Sequence, residues 1–219
     1  RGRYMLSIRK ASMGFGGQQL FAPVSVDVPP GQVMLLAAPS GGGKSTLLAW
    51  ICGSPPQGLQ ASGEISLNGR RLNPLATEDR RIGIMFQDAL LFPHLTVGDN
   101  LAFGLSPGGN RSQRHDKIAA ALAAIGMAGM EDRDPATLSG GQKARAALMR
   151  NLLAEPDALL LDEPFSSLDG QTRDEFIALV LAEINARNLP TILVSHDPRD
   201  AECATLPPKW PKHINEADL

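Results

Sequence analysis

The chain has 219 residues, which is enough for one domain with a sizeable core, and no apolar run approaches the roughly 18 residues of a membrane-spanning helix. Its net charge of −2 gives no electrostatic reason to expect nucleic acid as a partner. Cys52 and Cys203 form no C-x-x-C pair, so we expect neither a disulfide nor a metal role for them. We therefore expect a soluble, cytoplasmic protein, and any membrane role has to come through a partner.

The chain opens with two predicted strands, residues 4–11 and 22–28, and the second of them alternates valine with polar residues. Phe15 lies in the glycine-flanked loop between them. It is either an ordinary cap on the sheet or an exposed ring on which a base can stack. Spacing alone leaves both interpretations open.

The stretch from Gln32 to Thr46 joins an apolar strand, a glycine-rich turn and the start of a helix. The glycines let the backbone wrap closely around an anion, toward which the unpaired N–H groups of the first helical turn point. Lys44 can reach terminal phosphates, and the Ser45 hydroxyl can ligate Mg²⁺. These features predict a cradle for a nucleoside triphosphate with Mg²⁺, formed by Ala38, Pro39, Ser40, Gly41, Gly42, Gly43, Lys44, Ser45 and Thr46.

Ala38 departs from the usual phosphate-loop pattern, which has glycine at this position. Because Pro39 follows, residue 38 is biased toward extended backbone with negative φ, and alanine tolerates that conformation. We expect a small perturbation of phosphate binding and not a dead site. The alternative is a glycine-rich turn that binds no ligand.

The middle of the chain changes from strand to helix. Residues 63–72 predict a hairpin with an Asn-Gly turn, and residues 81–87 predict a strand that ends at Gln87. The pattern then becomes helical. We predict one domain, residues 1–219, with a helical subdomain inserted at 88–153.

Within that helical segment, Ser139 followed three residues later by Gln142 is a capping-box pattern. It predicts a helix that begins at Gly140 and runs to about Ala154. Gly140 and Gly141 are poor helix formers, each costing about 1 kcal/mol relative to alanine. An anion that approaches the first-turn N–H groups closely would explain them.

Two further strands end in polar residues. The buried strand at 158–161 runs into Asp162 and Glu163, adjacent carboxylates that repel each other unless a cation is present. In a Mg-nucleotide site Asp162 would hold the metal and Glu163 would act as general base for the attacking water. The strand at 191–196 places His196 at its carboxyl end, the edge at which open α/β sheets bind ligands.

The set of motifs resembles the ATP-binding-cassette (ABC) ATPases over essentially the whole chain. The segment LSGGQ at residues 138–142 is the family's signature, and its conjunction with LLLDEP and a strand-ending Ser-His-Asp is far more specific than any one motif. The resemblance implies an α/β fold of the P-loop NTPase class. That fold has a RecA-like parallel-sheet core, an antiparallel β subdomain and an α-helical signature subdomain.

The resemblance also implies roles for particular residues. Glu163 would be the catalytic base, His196 the switch histidine and Gln87 the Q-loop glutamine, and Phe15 would stack on adenine. The metal ligands would be Ser45, Gln87 and Asp162. Two cassettes pair head to tail in this family, so each ATP would also be contacted in trans by the partner's signature residues, Ser139, Gly140, Gly141 and Gln142.

Residues 86–101 are similar to single-cassette subunits of bacterial importers for small solutes, especially the iron, polyamine and thiamine group. This implies an ATPase that forms a homodimer when ATP is bound and works with permease subunits and, indirectly, a solute-binding protein. Its place would be the cytoplasmic face of the inner membrane. One alternative is a soluble cassette ATPase that remodels a protein or RNA complex, against which the mildly acidic charge argues. Another is a non-hydrolytic regulator, which Ala38 slightly supports and against which the presence of Lys44, Asp162, Glu163 and His196 argues.

Overall fold

The computed structural model describes residues 5–37 and 42–207. The strands, in chain order, are β1 (Leu6–Phe15), β2 (Gln18–Gln19), β3 (Val24–Val28), β4 (Val33–Ala37), β5 (Gln60–Leu67), β6 (Arg70–Arg71), β7 (Ile82–Met85), β8 (Ala158–Asp162) and β9 (Thr191–Ser195). The α-helices are α1 (Lys44–Cys52), α2 (Val97–Gly104), α3 (Arg111–Ala124), α4 (Gly140–Leu153) and α5 (Gly170–Arg187). Short 3-10 turns cover Glu78–Arg80, Pro135–Thr137 and Pro198–Cys203.

The described chain divides into two compact units. The first holds the described parts of residues 5–84, 157–163 and 184–207, and the second holds residues 85–156 and 164–183. The predicted single domain with a helical insert at 88–153 is not tested by this division and stays a prediction. No helix in the described ranges is long and apolar enough to cross a membrane.

The first unit contains a four-stranded sheet in the order β4-β9-β8-β7, in which β4, β9 and β8 are parallel. Its central strands are apolar on both faces, as expected for a covered parallel sheet, and β9 is buried along its whole length. The predicted third parallel strand is confirmed, and it lies between the other two. This arrangement brings the carboxyl ends of three strands to one edge.

The second sheet of this unit is antiparallel, with the path β2-β1-β5-β6 and with β3 paired to β1. β3 buries alternate residues, Val24, Val26 and Val28, as its sequence pattern predicts. Asn68 and Gly69 both have positive φ and close the predicted β5-β6 hairpin. The valines of β3 join apolar residues of α1 and the parallel sheet in one core.

Two predicted boundaries are wrong. Phe15 is the last residue of β1 and not a loop residue, because β1 continues to pair with β2 as far as Phe15 and Gln18. Gln87 lies two residues beyond the end of β7, which stops at Met85.

The second unit is helical, and α2, α3 and α4 pack on one another. Asn100 is fully buried in α2, where its side chain donates to the carbonyl oxygens of Phe92 and Thr96 and accepts from the Phe92 N–H. These bonds fix the segment that precedes α2. Arg150, near the end of α4, donates to the carbonyl oxygens of Ala89 and Leu90 in the same segment.

Candidate nucleotide site

The register of the parallel sheet brings the predicted phosphate and carboxylate residues to one edge. Ala37, at the end of β4, pairs with Ser195 of β9, and Asp162 of β8 pairs with Val194. His196 and Glu163 directly follow the ends of β9 and β8, and Gly42 and Gly43 precede α1. Ligands bind at this edge of open α/β sheets.

Gly43 caps the N-terminus of α1 in the left-handed conformation, with φ of 80°. A Cβ at this position would lie 3.0 Å from the Phe21 ring and 3.2 Å from a Leu20 methyl carbon, so a side chain would be crowded as well as strained by the backbone conformation. Lys44 follows, and it is only 5% exposed. Burial of an ammonium group needs compensation by nearby negative charge.

Asp162 provides negative charge in this region. Burial raises the pKa of the Asp162 carboxyl group, as does the neighbouring Glu163 charge, while a hydrogen bond from Ser45 and the charge of Lys44 lower it. The net direction is upward, because removal of the carboxylate from water outweighs its favourable contacts. A cation bound beside Asp162 would favour the ionised form.

Glu163 and His196 contact each other directly. His196 Nδ1 lies 2.9 Å from Glu163 Oε1, and the glutamate side chain is 16% exposed while the histidine is 51% exposed. The Glu163 N–H donates to the Val194 carbonyl oxygen at 2.9 Å, which continues the β8-β9 ladder by one bond. Glu163 itself has φ of 48°, so the chain turns sharply there.

Glu163, Lys44 and Ser45 line a cleft of about 450 Å³, a volume in the usual range for small-molecule sites. Phe15 lines it at one end and is 36% exposed. Of the two interpretations of the Phe15 ring, an exposed ring on which a base can stack agrees with this position. The cleft is lined by Phe15, Leu20, Gly42, Gly43, Lys44, Ser45, Thr46 and Glu163.

Among the residues that the structure describes, the other predicted site residues do not line this cleft. Ala38, Pro39, Ser40 and Gly41 lie outside the described residues. Gln87 belongs to the second unit, as do Ser139 to Gln142.

The predicted capping box at the start of α4 is confirmed. The Ser139 hydroxyl accepts from the Gln142 N–H at 3.2 Å, and the Gln142 side chain accepts from the Ser139 N–H at 3.0 Å. Gly141 has a further explanation besides an anion, because a Cβ there would lie 2.4 Å from Thr172 Cγ2 of α5. Packing therefore requires this glycine without any anion, whereas Gly140 is exposed with nothing nearer than Leu168 at 3.8 Å.

Comparison with known proteins identifies the family. Residues 21–166 match the family described as ABC transporter. The chain belongs to this family. It is an ATP-binding subunit of the ABC transporter type, and it is an ATPase that powers membrane transport.

Several members of the ABC transporter family are similar along most of this chain. An uncharacterized ABC transporter ATP-binding protein, YnjD of Escherichia coli K12, is 42% identical over 97% of this chain and 99% of its own length. The sulfate/thiosulfate import ATP-binding protein CysA of the same strain is 39% identical over 90% of this chain. A CysA of Gloeobacter violaceus is 40% identical over 89% of this chain. The matched region spans about half of each CysA protein, 54% and 56% respectively.

Sequence reasoning missed two groups of residues. Leu20 lines the cleft, and the Phe21 ring lies beside Gly43. The sequence signal that could have identified them is an apolar pair directly after the polar Gln18-Gln19. Phe103 of α2 was also missed, although it is 70% exposed. Its exposure follows from the packing of α2, which the sequence pattern of the helix does not reveal.

Proposed function

We propose that this chain is the single-cassette ATPase of an importer for a small solute, in which two copies close head to tail on permease subunits. The similarity to CysA import proteins supports the importer class. The permease and a solute-binding protein would select the solute. The working position would be the cytoplasmic face of the cell membrane.

The proposal that the protein hydrolyses ATP is supported by five functional side chains that lie within one unit. Lys44 and Ser45 begin α1, Asp162 and Glu163 end β8, and His196 follows β9. A non-hydrolytic binding protein would need the lysine but not a carboxylate and a histidine in direct contact. The combination therefore favours hydrolysis over regulation by binding alone.

The oxygen atoms of Ser45 and Asp162 fit a magnesium site. The two side chains hydrogen-bond each other, and Mg²⁺ prefers a hydroxyl and one or two carboxylates together with phosphate oxygens. When bound, Mg²⁺ would neutralise charge on the triphosphate. Gln87 is proposed as a further ligand from its motif position. Lys44 would hold the terminal phosphates, and the α1 N-terminus would contribute its N–H groups.

Glu163 is proposed as the general base and His196 as the residue that orients it. With Nδ1 as donor, the histidine holds Glu163 Oε1 at 2.9 Å and restricts rotation of the carboxylate. A carboxylate held in this way can accept a proton from water in the direction of the cleft. Phe15 would stack on the adenine ring, because its exposed face lines the same cleft.

The proposed second subunit would complete the site with Ser139, Gly140, Gly141 and Gln142. Ser139 and Gly140 are exposed at the start of α4, and a helix N-terminus favours a phosphate. Gly140 has open space around it, so an anion could approach the backbone there. Binding of ATP between two such surfaces would supply the free energy of closure, and hydrolysis would release it.

The proposed permease contact is an apolar patch of the second unit, which we define as Leu90, Phe92 and Phe103. Leu90 is 56% exposed, and the Phe92 and Phe103 rings meet edge to face at 4.7 Å. The Arg150 guanidinium lies 5.2 Å from the Phe92 ring centre. A cluster of exposed apolar residues beside a half-buried arginine is typical of a binding surface. A short permease helix with an apolar face is the proposed partner.

The central test is Glu163→Gln, which keeps the shape of the side chain and removes the base. Hydrolysis should fall at least a hundredfold, because a positioned general base contributes about 10² to 10⁴ in rate, while ATP should still bind. The variant should form an ATP-dependent dimer in size-exclusion chromatography, since the step that opens the pair is blocked. Full ATPase activity in Glu163→Gln would refute the assignment of the base. Loss of activity without dimer formation would agree with Glu163 as the base and would refute closure by two isolated copies.

The permease contact is tested by crosslinking. Cysteines introduced at Leu90 and Phe103 should crosslink to the permease in membranes, and a cysteine at the exposed Arg70 of β6 serves as control. Equal crosslinking from all three positions, or none with the complex intact, would remove this part of the proposal.

A further inference from the structure

Arg80 is a buried cation that belongs to none of the motifs described above. Arg80 is only 7% exposed, and burial lowers the pKa of its guanidinium group. Among the described residues its hydrogen bonds all go to backbone carbonyl oxygens, and none goes to a carboxylate. A buried charge without a counterion is costly, so its position needs a specific reason.

The guanidinium group is directed at the carboxyl end of α1. Nη1 donates to the carbonyl oxygens of Trp50 and Ile51, each at 2.8 Å, in the last turn of that helix. Carbonyls in the last turn of a helix form the negative end of its dipole, and here the Trp50 oxygen also accepts from the Gly53 N–H at 3.2 Å. Arg80 therefore supplies both hydrogen bonds and positive charge to this helix end.

The remaining donors of Arg80 fix the guanidinium to its own segment. Nε donates to the Leu75 carbonyl oxygen at 3.1 Å, and Nη2 donates to the Asn73 carbonyl oxygen at 3.3 Å. The Asn73 side chain in turn accepts from the Ile65 N–H of β5 at 2.8 Å. Thr77 adds a bond from its hydroxyl to the Gly53 carbonyl oxygen at 2.9 Å. The end of α1 is thus tied through residues 73–80 to the antiparallel sheet.

Gly53, which ends α1, leaves room for this guanidinium. It has φ of 95°, and a Cβ on it would lie 2.7 Å from Arg80 Nε. The glycine therefore serves both the left-handed C-cap and the close approach of Arg80. Any side chain at residue 53 would displace the guanidinium group.

Helix α1 connects this anchored end to the nucleotide site. It has nine residues, and Lys44, Ser45 and Thr46 form its first turn. A helix of this length spans about 13 Å and moves as one body, so a shift at its carboxyl end moves its N-terminal turn. We propose that Arg80 is a positioning residue for nucleotide binding, which anchors α1 so that Lys44 and Ser45 stand at the correct place in the cleft. This inference rests on the proposed nucleotide site.

The test is nucleotide titration of the full chain with Arg80→Met, using a fluorescent ATP analogue and checking the fold by circular dichroism. A misplaced binding group weakens affinity, so the Kd should rise about tenfold while the number of sites per chain stays the same. Arg80→Lys keeps the charge but not the forked geometry, and its Kd should lie between those of the parent and Arg80→Met.

A purely structural role predicts a different result. Partial unfolding would reduce the number of sites per chain and leave the Kd of the remaining sites unchanged. That outcome, or a Kd of folded Arg80→Met and Arg80→Lys within about twofold of the parent, would overturn the inference. If Arg80→Met does not fold, the Kd of Arg80→Lys alone decides between the two roles.

Arg81→Met is the matched control, because Arg81 is the next residue but is half exposed and paired with Asp157 at 2.8 Å. Its Kd should stay within about twofold of the parent, as for an ordinary surface substitution. Lys44→Ala separates this inference from the proposed site. If Lys44→Ala binds nucleotide as the parent does, the proposed site fails. If Lys44→Ala loses binding and Arg80→Met does not, only the inference about Arg80 fails.

Gly53→Ala disturbs the same contact from the helix side. Its Kd should rise in the parent background, because the added methyl group displaces the guanidinium. In the Arg80→Met background the same change should raise the Kd less, since there is no guanidinium left to displace. Equal increases in both backgrounds would show that Gly53 and Arg80 act independently and would overturn the inference.

Discussion

Helices α1 and α4 both begin at glycine-rich segments, but the N–H groups of their first turns differ in their hydrogen-bond partners. No side chain of the described residues caps α1, whose N-cap is the left-handed Gly43. The α4 N-terminus is closed by the reciprocal bonds of Ser139 and Gln142. α1 thus leaves N–H groups for a ligand, whereas α4 is a stable helix start on its own.

This difference matches the separate roles proposed for the two helix starts. The N-terminus of α1 has no side-chain cap among the described residues and carries a buried lysine, so it suits an anion that binds there directly. The N-terminus of α4 exposes Ser139 and Gly140 without needing an anion to form. It therefore suits a surface that meets a nucleotide already bound elsewhere, on another chain.

The largest expected effect tests whether the start of α1 in one chain works together with the start of α4 in a second chain. Lys44→Ala and Ser139→Arg should each reduce the ATPase activity of a homodimer at least a hundredfold, since each removes a main phosphate contact or blocks it. A mixed dimer should have one composite site with both lesions and one intact site. Its activity, measured on dimers isolated through two different tags, should exceed that of either homodimer.

The control for the mixed dimer is a pair of differently tagged Lys44→Ala chains, which should show no recovery of ATPase activity. If the mixed dimer is no more active than the homodimers, then either α4 does not act in trans or the two sites do not work independently.

A smaller effect distinguishes the two glycines of α4. Gly141→Ala should lower the free energy of unfolding by about 1 to 3 kcal/mol, because its methyl group overlaps Thr172 Cγ2. Gly140→Ala should leave it unchanged or raise it by up to about 1 kcal/mol, since this position is open and alanine favours helix. Urea unfolding measures both. Equal destabilisation would mean that Thr172 does not restrict residue 141.

Gly140→Ala also tests the role in trans. If an anion approaches the backbone at residue 140, the stable variant should still lose ATPase activity. Full activity together with unchanged stability would leave Gly140 without a role at the site.

The smallest expected effect concerns the phosphate loop that leads into α1. Ala38→Gly should change ATP affinity by less than tenfold, or under about 1.4 kcal/mol, because Pro39 already favours the extended backbone that alanine tolerates. Gly43→Ala is the contrasting control, since φ of 80° and the Phe21 ring both oppose a side chain there. A gain larger than tenfold in Ala38→Gly would show that the methyl group obstructs the phosphate.

The sequence was most informative where local rules act alone. The apolar run before Asp162 and the spacing of Ser139 and Gln142 predicted a strand and a capped helix that are both present. Both depend on neighbours within a few residues. The end of β1 at Phe15 was missed because pairing with β2 extended it into a glycine-rich segment.

The features that sequence could not predict depend on contacts between distant residues. Gly141 is restricted by Thr172, and Arg80 bonds carbonyls that precede it by about thirty positions. In the sequence, Arg80 is one charge within a run of charged residues, which ordinarily indicates a solvated surface. Only the folded chain distinguishes it from the exposed Arg81 beside it.

The left-handed backbone of Glu163 has a consequence for laboratory evolution. A residue other than glycine in this conformation carries a penalty of roughly 1–2 kcal/mol, which asparagine bears more easily than glutamate and glycine does not bear at all. A library selected only for survival of heating should therefore enrich glycine or asparagine at position 163 and accumulate chains without the proposed base. Selection for heat resistance in this protein has to be coupled to growth on the transported solute, or the most durable chains will be inactive ones.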